Sequence, residues 1–371
     1  MTDPLGTNIS RLYRSIVSSP WRIAATLLGL AVIIVLVALG VRAIALQNRS
    51  LALLNWLNLL LIPLLLIGAA LWLTNSWRRT QIDVARLRDE REMIEGYFDR
   101  LMDLLLTRNL RQATSDDEAA RAARAHTLTI LRNLNGDGRG QIIRFLYESA
   151  LLNAGEPIVD LQAADLIGVE LSRVQMAGIN LRNVYLTGAQ LADVEMSSSD
   201  LRETRLDGAN LSRANLSESY LRGASLKGAT LSEANLRGAI LTKAKFLDAN
   251  LRGADLADAN LSGADLSRAD LTGANLKGAK LNGANMTSAI LDGADVSLAN
   301  INKANLSGVI AGGTNFSGAN LAGAILVGAK LNGAVLGGAI LSEADLSDAE
   351  MRDANLNLAN LRGATMNQVV L

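Results

Sequence analysis

Three groups of side chains in this sequence are of types that could do chemistry. Asp and Asn recur at short, regular intervals after residue 159 and could supply acid–base pairs. His126 is the one histidine, and a Ser-His-Asp mechanism would need it beside a nucleophile. Residues 133–138 imitate the start of a calcium-binding loop, and residues 136–140 could hold a phosphate at a helix N-terminus.

Each of these groups lacks the partner that its chemistry requires. Position 12 of the calcium loop should be a bidentate Glu, and it is Arg144. No predicted strand precedes residues 136–140, which argues against a dinucleotide site and favours a turn between helices. The Asp and Asn residues follow a repeat, so none is singled out as a catalyst. We therefore predict a protein that is not an enzyme, with no catalytic residue, no cofactor and no metal site.

The Asp and Asn residues belong to a repeat of five residues. Every fifth position from 161 to 371 is a repeat centre; 33 of the 43 centres are Leu, and 31 of the residues two positions earlier are Ala. A period of five fits neither an α-helix nor a β-strand. It predicts a solenoid, in which each coil buries its core against the next.

The unit, for example Ala264-Asp265-Leu266-Ser267-Arg268, resembles the pentapeptide-repeat family, whose pattern is A-(D/N)-L-x-x. The resemblance implies a mainly β fold for residues 159–371, a right-handed quadrilateral β-helix with one repeat per side. It places Leu and Ala inside and the residues after each centre at a corner. It also stacks one set of polar residues into a ladder, namely Asn215, Asn235, Asp255, Asn275, Asp295 and Asn315.

Two irregularities of the repeat lead to predictions about packing and about charge. The centre at Ala311 leaves space, which we expect Val309 and Phe316 to fill because cavities cost stability. Arg182, Arg202 and Arg222 should stack along one side, and we expect nearby carboxylates to neutralise this arginine series.

The N-terminal part of the sequence predicts a membrane anchor. Residues 23–41 and 51–73 are uncharged and long enough to span a bilayer, so residues 23–73 are interpreted as a two-span transmembrane hairpin after a cytoplasmic segment, residues 1–22. Eight flanking Arg residues against two in the short loop place both termini in the cytoplasm. The alternatives are a signal peptide cleaved at Ala43-Ile44-Ala45, or a re-entrant hairpin at Pro63.

Residues 77–156 are predicted to form a helical neck. Its first helix, residues 77–113, either packs on the helices that follow or pairs with a second copy. The second helix opens at a capping box, residues 115–118, and the third runs from about residue 140 to 152. Apolar residues of this region should cover the open end of the solenoid, namely Ile142, Ile143, Phe145, Leu146 and Leu151.

Two surfaces are candidates for protein contacts. Residues 304–342 contain a single charged residue, Lys330, and exposed apolar surface often marks an interaction site. The outward apolar residues of the segment are Ile310, Ile325, Val327, Val335 and Ile340. Val369, Val370 and Leu371 form an apolar end that could join two copies end to end as a homodimer.

These observations favour a non-enzymatic, membrane-anchored scaffold. Its rod would be cytoplasmic, on a bacterial inner or internal membrane, and would bind the bilayer and an unidentified protein, with no nucleic acid expected. One alternative implied by the resemblance is a DNA-mimicking, gyrase-binding protein, but residues 159–371 carry 18 basic and 22 acidic residues, a net charge of only −4. Another is an accessory factor in lipid or envelope transport.

Deleting residues 115–158 while keeping the repeats should give insoluble protein, because the open end of a solenoid exposes its core. The measurement is the soluble fraction after centrifugation, with the full chain as control. A bare repeat domain that stays soluble and monomeric would contradict the covering role of these residues.

Overall fold

The computed structural model describes residues 87–371, together with residues 68, 69 and 72. Within this part of the chain, no helix is both long enough and apolar enough to cross a membrane. The predicted segment 1–22, almost all of the predicted hairpin 23–73 and the start of the neck lie outside the described residues. Asp89–Leu371 form one compact unit, which contains most of the neck and all of the repeats.

The repeats form a four-sided β-helix. The residue before each centre makes a parallel bridge to the residue 20 positions later, from Asp165 with Tyr185 to Glu350 with Val370. One such step covers four repeats, so each coil has four sides, and the strands are single bridge residues. The N–H of Leu166 donates to the carbonyl of Tyr185 (2.9 Å), and this pattern repeats from coil to coil. The predicted mainly β, quadrilateral fold of the repeats is confirmed.

The interior of the rod is filled by two layers of apolar side chains. The centres and the residues two positions before them are buried along the rod, from Val159 to Met351, apart from the half-buried Val174. Ala fits beside Leu because the tube is narrow. Val309 and Phe316 are both fully buried next to the small centre Ala311. Thr314 is also buried, and its hydroxyl donates to the carbonyl of Leu291 (2.7 Å).

Three helices precede the rod within residues 87–158. Helix α1 is described from residue 87 to residue 107 and is followed by a short 3₁₀ turn at Leu110–Gln112. Helix α2 is Glu118–Leu131, with Asp117 as its N-cap residue, and α3 is Gly136–Glu148. The third helix therefore starts before its predicted position, and the segment expected to be a turn is its first turn.

Helix α3 starts early because Asn135 caps it. The Asn135 side chain accepts a hydrogen bond from the N–H of Gly138 (2.8 Å). The buried carboxylate of Glu90 in α1 in turn accepts from the backbone N–H and the side-chain amide of Asn135, both at 2.6 Å. Side-chain caps stabilise the first turn of a helix, which offsets the poor helix propensity of its glycines.

Two of these glycines allow α3 to lie directly on the rod. A Cβ atom at Gly136 would overlap the carbonyl oxygen of Gly168, and one at Gly140 would overlap that of Glu170. The N–H of Glu170 donates to the carbonyl of Gly136 (3.0 Å). The helix backbone therefore takes the place that a preceding coil would occupy.

Polar side chains of the neck complete the first coil. Some of its carbonyl groups would otherwise lack the N–H donors that the preceding coil supplies elsewhere in the rod. Arg124 Nε donates to the carbonyl of Asp160 (2.8 Å), and the Tyr147 hydroxyl donates to that of Ala177 (2.9 Å). Arg139 donates in the same way to the carbonyl of Ile167.

Apolar residues of the neck cover the same end. Ile142, Ile143, Leu146 and Leu151 are fully buried and join the core of the rod, as the sequence leads one to expect. Phe145 is half-buried against Phe98, with ring centroids 4.5 Å apart. Among residues of α1 spaced three or four apart, Ile94 and Leu101 are buried and Arg91 is exposed, so this helix packs within its own unit.

Gly140→Ala should destabilise the cap by roughly 2 kcal/mol, because its new methyl group meets the Glu170 carbonyl and overpacking costs about 1–3 kcal/mol. Gly96→Ala is the matched control: its site in α1 is open, and Ala should stabilise the helix by about 0.5–1 kcal/mol. Urea denaturation followed by circular dichroism measures both. Equal stability of the two variants would show that α3 does not touch the rod.

Candidate interaction surface

The four sides of the rod are named here as faces A, B, C and D after their first centres, Leu161, Leu166, Leu171 and Met176. Residues that differ by 20 lie on the same face, because the bridges join each residue to the one 20 positions later. The two residues after each centre form the turn that leads to the next face. Any surface on the repeats can therefore be read from residue numbers.

The five apolar residues proposed from the sequence do not share one face. Ile310 lies on face C, Ile325 and Val327 on face B, Val335 on face D and Ile340 on face A. Ile325, Val335 and Ile340 are exposed, at 43%, 36% and 40%, while Ile310 and Val327 are half-buried. Their spacing along the chain does not match the length of a coil, so the coil distributes them around the rod.

Two of the five residues nevertheless lie on either side of one corner. Val335 ends face D and Ile340 begins face A, with the turn Gly337-Gly338 between them. Two further exposed leucines, Leu298 and Leu358, occupy this corner in other coils, and they are 63% and 95% exposed. We call Leu298, Val335, Ile340 and Leu358 the apolar corner.

The two leucines stand where the backbone disfavours them. The second turn residue is left-handed, with φ of 60° at Leu298 and 61° at Leu358. Each non-glycine residue with positive φ at the other corners from 163 to 368 is polar or charged, or is Ala163. The left-handed conformation costs an ordinary residue roughly 1–2 kcal/mol. These leucines are not among the residues predicted from the sequence, where corner positions are interpreted as turn residues, although a bulky apolar residue at a corner is itself a signal.

The recurrent carboxylates and amides are engaged in the rod itself. The side chain before a centre accepts the backbone N–H two residues later, as Asn305 does from Ser307 (3.0 Å). The predicted ladder is formed in part by side chains: Asn275 donates to Asp255 (2.9 Å) and Asn315 to Asp295 (3.0 Å). These groups hold turns and stack coils, which explains why they recur.

Hydrogen bonding to such a turn also changes the acidity of a carboxylate. The Ser347 hydroxyl and backbone N–H donate to Asp345 Oδ1 at 2.7 and 3.0 Å. The hydroxyl contributes most, and together they hold the pKa of Asp345 below its ordinary value of 3.8.

The arginine series on face A is only partly neutralised by ion pairs. Arg202 forms a bidentate ion pair with Asp200, in which Arg202 Nε donates to Asp200 Oδ1 at 2.8 Å. Among the ion pairs of the described chain, none involves Arg182 or Arg222. Elsewhere carboxylates pair with arginines one coil away, as Asp193 does with Arg213 (2.7 Å).

The neck residues considered for chemistry lie apart from one another. His126 lines a shallow groove between α1 and α2 with Arg100 and Thr129. Asp137 is in the first turn of α3 and accepts a hydrogen bond from Gln141 (3.0 Å). Across the residues that the structure describes, no three His, Cys, Asp or Glu side chains are grouped so that they could hold a metal ion.

The proposed end-to-end contact lies on the coil farthest from the neck. Val369 is half-buried, and Leu371 is 72% exposed beside the exposed Val370. Pairing of two copies through these residues stays a prediction.

Comparison with known families identifies the repeats. The family model described as pentapeptide repeats matches eight times, together covering residues 160–368. Because this is more than half of the chain, the chain belongs to the pentapeptide-repeat family, and its β-helix is of the right-handed quadrilateral type. No curated protein matches the chain significantly.

Several solved structures are similar to part of this chain. HetL, a pentapeptide repeat protein involved in heterocyst differentiation regulation from the cyanobacterium Nostoc sp. strain PCC 7120, is 35% identical over 61% of this chain and 96% of its own, with a TM-score of 0.42. A protein of the Arabidopsis thaliana thylakoid lumen is 38% identical over 27% of this chain and 70% of its own (TM-score 0.27). QnrB1, a plasmid-mediated fluoroquinolone resistance protein, is 19% identical over 55% and 93% (TM-score 0.31). With TM-scores below 0.5, these likenesses carry no functional argument.

Asp345→Asn should lower stability slightly at pH 7 and flatten its acid dependence, because Asn cannot carry the charge that strengthens these hydrogen bonds. Asn keeps both hydrogen bonds, as Asn305 shows with Ser307. The folded pKa of Asp345 is lowered, so its contribution is complete above 3.8 and is lost as the pH falls through the folded pKa. Melting temperature measured from pH 7 to pH 2 tests this. Parallel curves for the variant and the wild type would contradict it.

Proposed function

We propose that this protein is a non-enzymatic, membrane-anchored scaffold that presents its β-helical rod to a protein partner. Pentapeptide-repeat proteins are non-enzymatic interaction or scaffold proteins, which supports the class. The observation that carries the proposal is the fusion of neck and rod. Helix α3 lies against the first coil through Gly136 and Gly140, so the rod is held by its neck over a broad, bonded contact.

Such a rod is suited to holding surfaces at fixed distances. The coil-to-coil hydrogen bonds run from the first coil to Met351, whose N–H donates to the carbonyl of Val370 (2.6 Å). At about 4.8 Å per coil, the repeats span roughly 50 Å. Because side chains at equivalent positions of successive coils are stacked, a partner meets a surface whose pattern is fixed by the sequence.

The anchoring part of the proposal rests on the sequence. Residues 23–41 and 51–73 are uncharged and flanked by Arg, the pattern of a two-span hairpin with both ends in the cytoplasm. On this proposal the lipid bilayer is one partner and an unidentified protein is the other, and the membrane is a bacterial inner or internal one.

The DNA-mimic alternative requires a rod with many free negative charges. DNA carries about one charge per 1.7 Å, or roughly 30 over the length of this rod. The repeats carry a net charge of only −4, because 18 basic residues offset most of the 22 acidic ones, and Arg213 and Arg268 do so in direct ion pairs with Asp193 and Asp248. The scaffold proposal therefore fits the surface better than DNA mimicry.

The full chain should stay in the membrane fraction after alkaline or high-salt washing, and deletion of residues 23–73 should release it. The chain has no cysteine, so Ser342→Cys provides a single label site on the rod. A membrane-impermeant maleimide should label it in inverted vesicles and not in intact spheroplasts. Release of the full chain by salt would contradict the anchor, and labelling in spheroplasts would contradict the orientation.

A further inference from the structure

We propose that the apolar corner, formed by Leu298, Val335, Ile340 and Leu358, is the docking site for an uncharged α-helix of a partner protein. This inference rests on the proposed scaffold function and names the kind of partner. The four residues are the exposed large aliphatic side chains that flank or occupy the corner between faces D and A.

The corner has the shape of a notch. The side chain of Leu298 lies over Gly318, with its Cδ2 atom 3.0 Å from the position of a Cβ there. Gly338, one coil further, has open space at its Cβ position, and Leu358 stands one coil beyond it. The spacing from the Leu298 side chain to the coil of Leu358 is therefore about two coil steps, or roughly 10 Å between atom centres. An α-helix with its side chains is about 10–12 Å wide.

The remaining two residues make the notch apolar along its length. Val335 and Ile340 lie on either side of Gly337-Gly338, which forms the floor. A helix that crosses the corner between the leucines would contact Val335 at one end of the notch and Ile340 at the other.

The backbone of the notch favours a helix over an extended peptide. The N–H of Gly338 donates to the carbonyl of Asn357 (2.8 Å), and the carbonyl of Gly337 accepts from Gly318 (2.9 Å). The N–H groups of Val335 and Ile340 donate to the carbonyls of the preceding coil, both at 2.9 Å. A peptide strand needs free backbone groups to pair with, whereas a helix satisfies its own and can bind through side chains alone.

The middle of the notch indicates that the helix is uncharged where it contacts Val335 and Ile340. Lys330, the single charged residue among residues 304–342, lies on face C, and the nearest charged residues on faces D and A include Asp295 beside Leu298 and Arg362 beside Leu358. The polar groups beside the notch are amides and hydroxyls such as Asn315, Asn320 and Ser342. Membrane surfaces are bound through Trp, Lys and Arg, which this corner lacks between residues 304 and 342, so a protein helix fits it better than a bilayer.

The strained leucines supply a separate reason for a function. Glycine stands at the same corner position in neighbouring coils, at Gly278, Gly318 and Gly338, where a positive φ has no steric cost. Residues held in disfavoured backbone regions cluster at binding sites, where the strain accompanies function. Leu298 and Leu358 gain little internal packing to offset this cost, because their side chains are largely exposed.

The test measures binding of one synthetic probe, a fluorescein-labelled peptide of about five helical turns built from Ala and Gln with Leu on one face. The full chain is held in lipid nanodiscs, and anisotropy reports binding. Leu298→Asn with Leu358→Asn should weaken binding at least about tenfold. Ile325→Asn, which removes one exposed aliphatic side chain on face B, is the control and should leave binding unchanged. Lipid partitioning of the peptide is the same for all variants.

A folding defect can be separated from a binding defect. Asn tolerates the left-handed conformation, so the double variant should melt at the same temperature as the wild type or higher. Absence of peptide binding to the wild type at 100 µM, taken as roughly the upper limit of a specific weak contact, would overturn the proposal. Equal weakening by Ile325→Asn would overturn it as well.

Two further outcomes would assign the corner to another occupant. If light scattering shows dimers of the wild type that the double variant loses, the corner binds a second copy. If a fluorophore at Leu298→Cys is quenched by brominated lipids, the corner binds the bilayer. Either result overturns the helix proposal while leaving the membrane fractionation test of the scaffold unaffected, so the two failures are distinguishable.

Discussion

Each coil of the rod completes the backbone hydrogen bonds of its neighbour. The N–H of a centre, such as Leu186, donates to a carbonyl of the following coil. The acceptor is the residue just before the equivalent centre, here Arg205. The N–H of that residue returns a bond to the coil below, at the carbonyl of Val184. A coil alone would leave these groups unpaired, which is costly when they are buried. The constant coil length, the four faces and the need for a covered end all follow from this one dependence.

The neck shows how helices can replace a missing coil. A helix has few free backbone groups to offer a β-ladder, so the bonds at this end come mainly from side chains, such as Arg124, Arg139 and Tyr147. The exception is the Gly136 carbonyl, which accepts a ladder bond because glycine lets the helix backbone come close enough. Glu90 links α1 to the cap of α3, so the helix nearest the N-terminal region is bonded to the one that seals the rod.

The repeat made most of the fold predictable, because one five-residue rule sets faces, core and corners at once. Local propensity was less reliable in the neck. Gly136 and Gly140 indicate a turn when read alone, yet contact with the rod at Gly168 and Glu170 places them in a helix. The candidate surface was predictable only in part. Charge depletion indicates a segment that contains Val335 and Ile340, but its outward apolar residues lie on four different faces, and Leu298 and Leu358 lie outside that segment.

The corner leucines illustrate where a repeat protein can carry specificity. Inward positions are constrained by packing, and positions before the centres are committed to turns and ladders, as Asn305 and Asp255 are. The second turn residue is free of both duties, but its left-handed backbone favours glycine or polar residues. A bulky apolar residue there weakens the rod without filling its core. Its presence is therefore better explained by a contact outside the chain than by the stability of the fold.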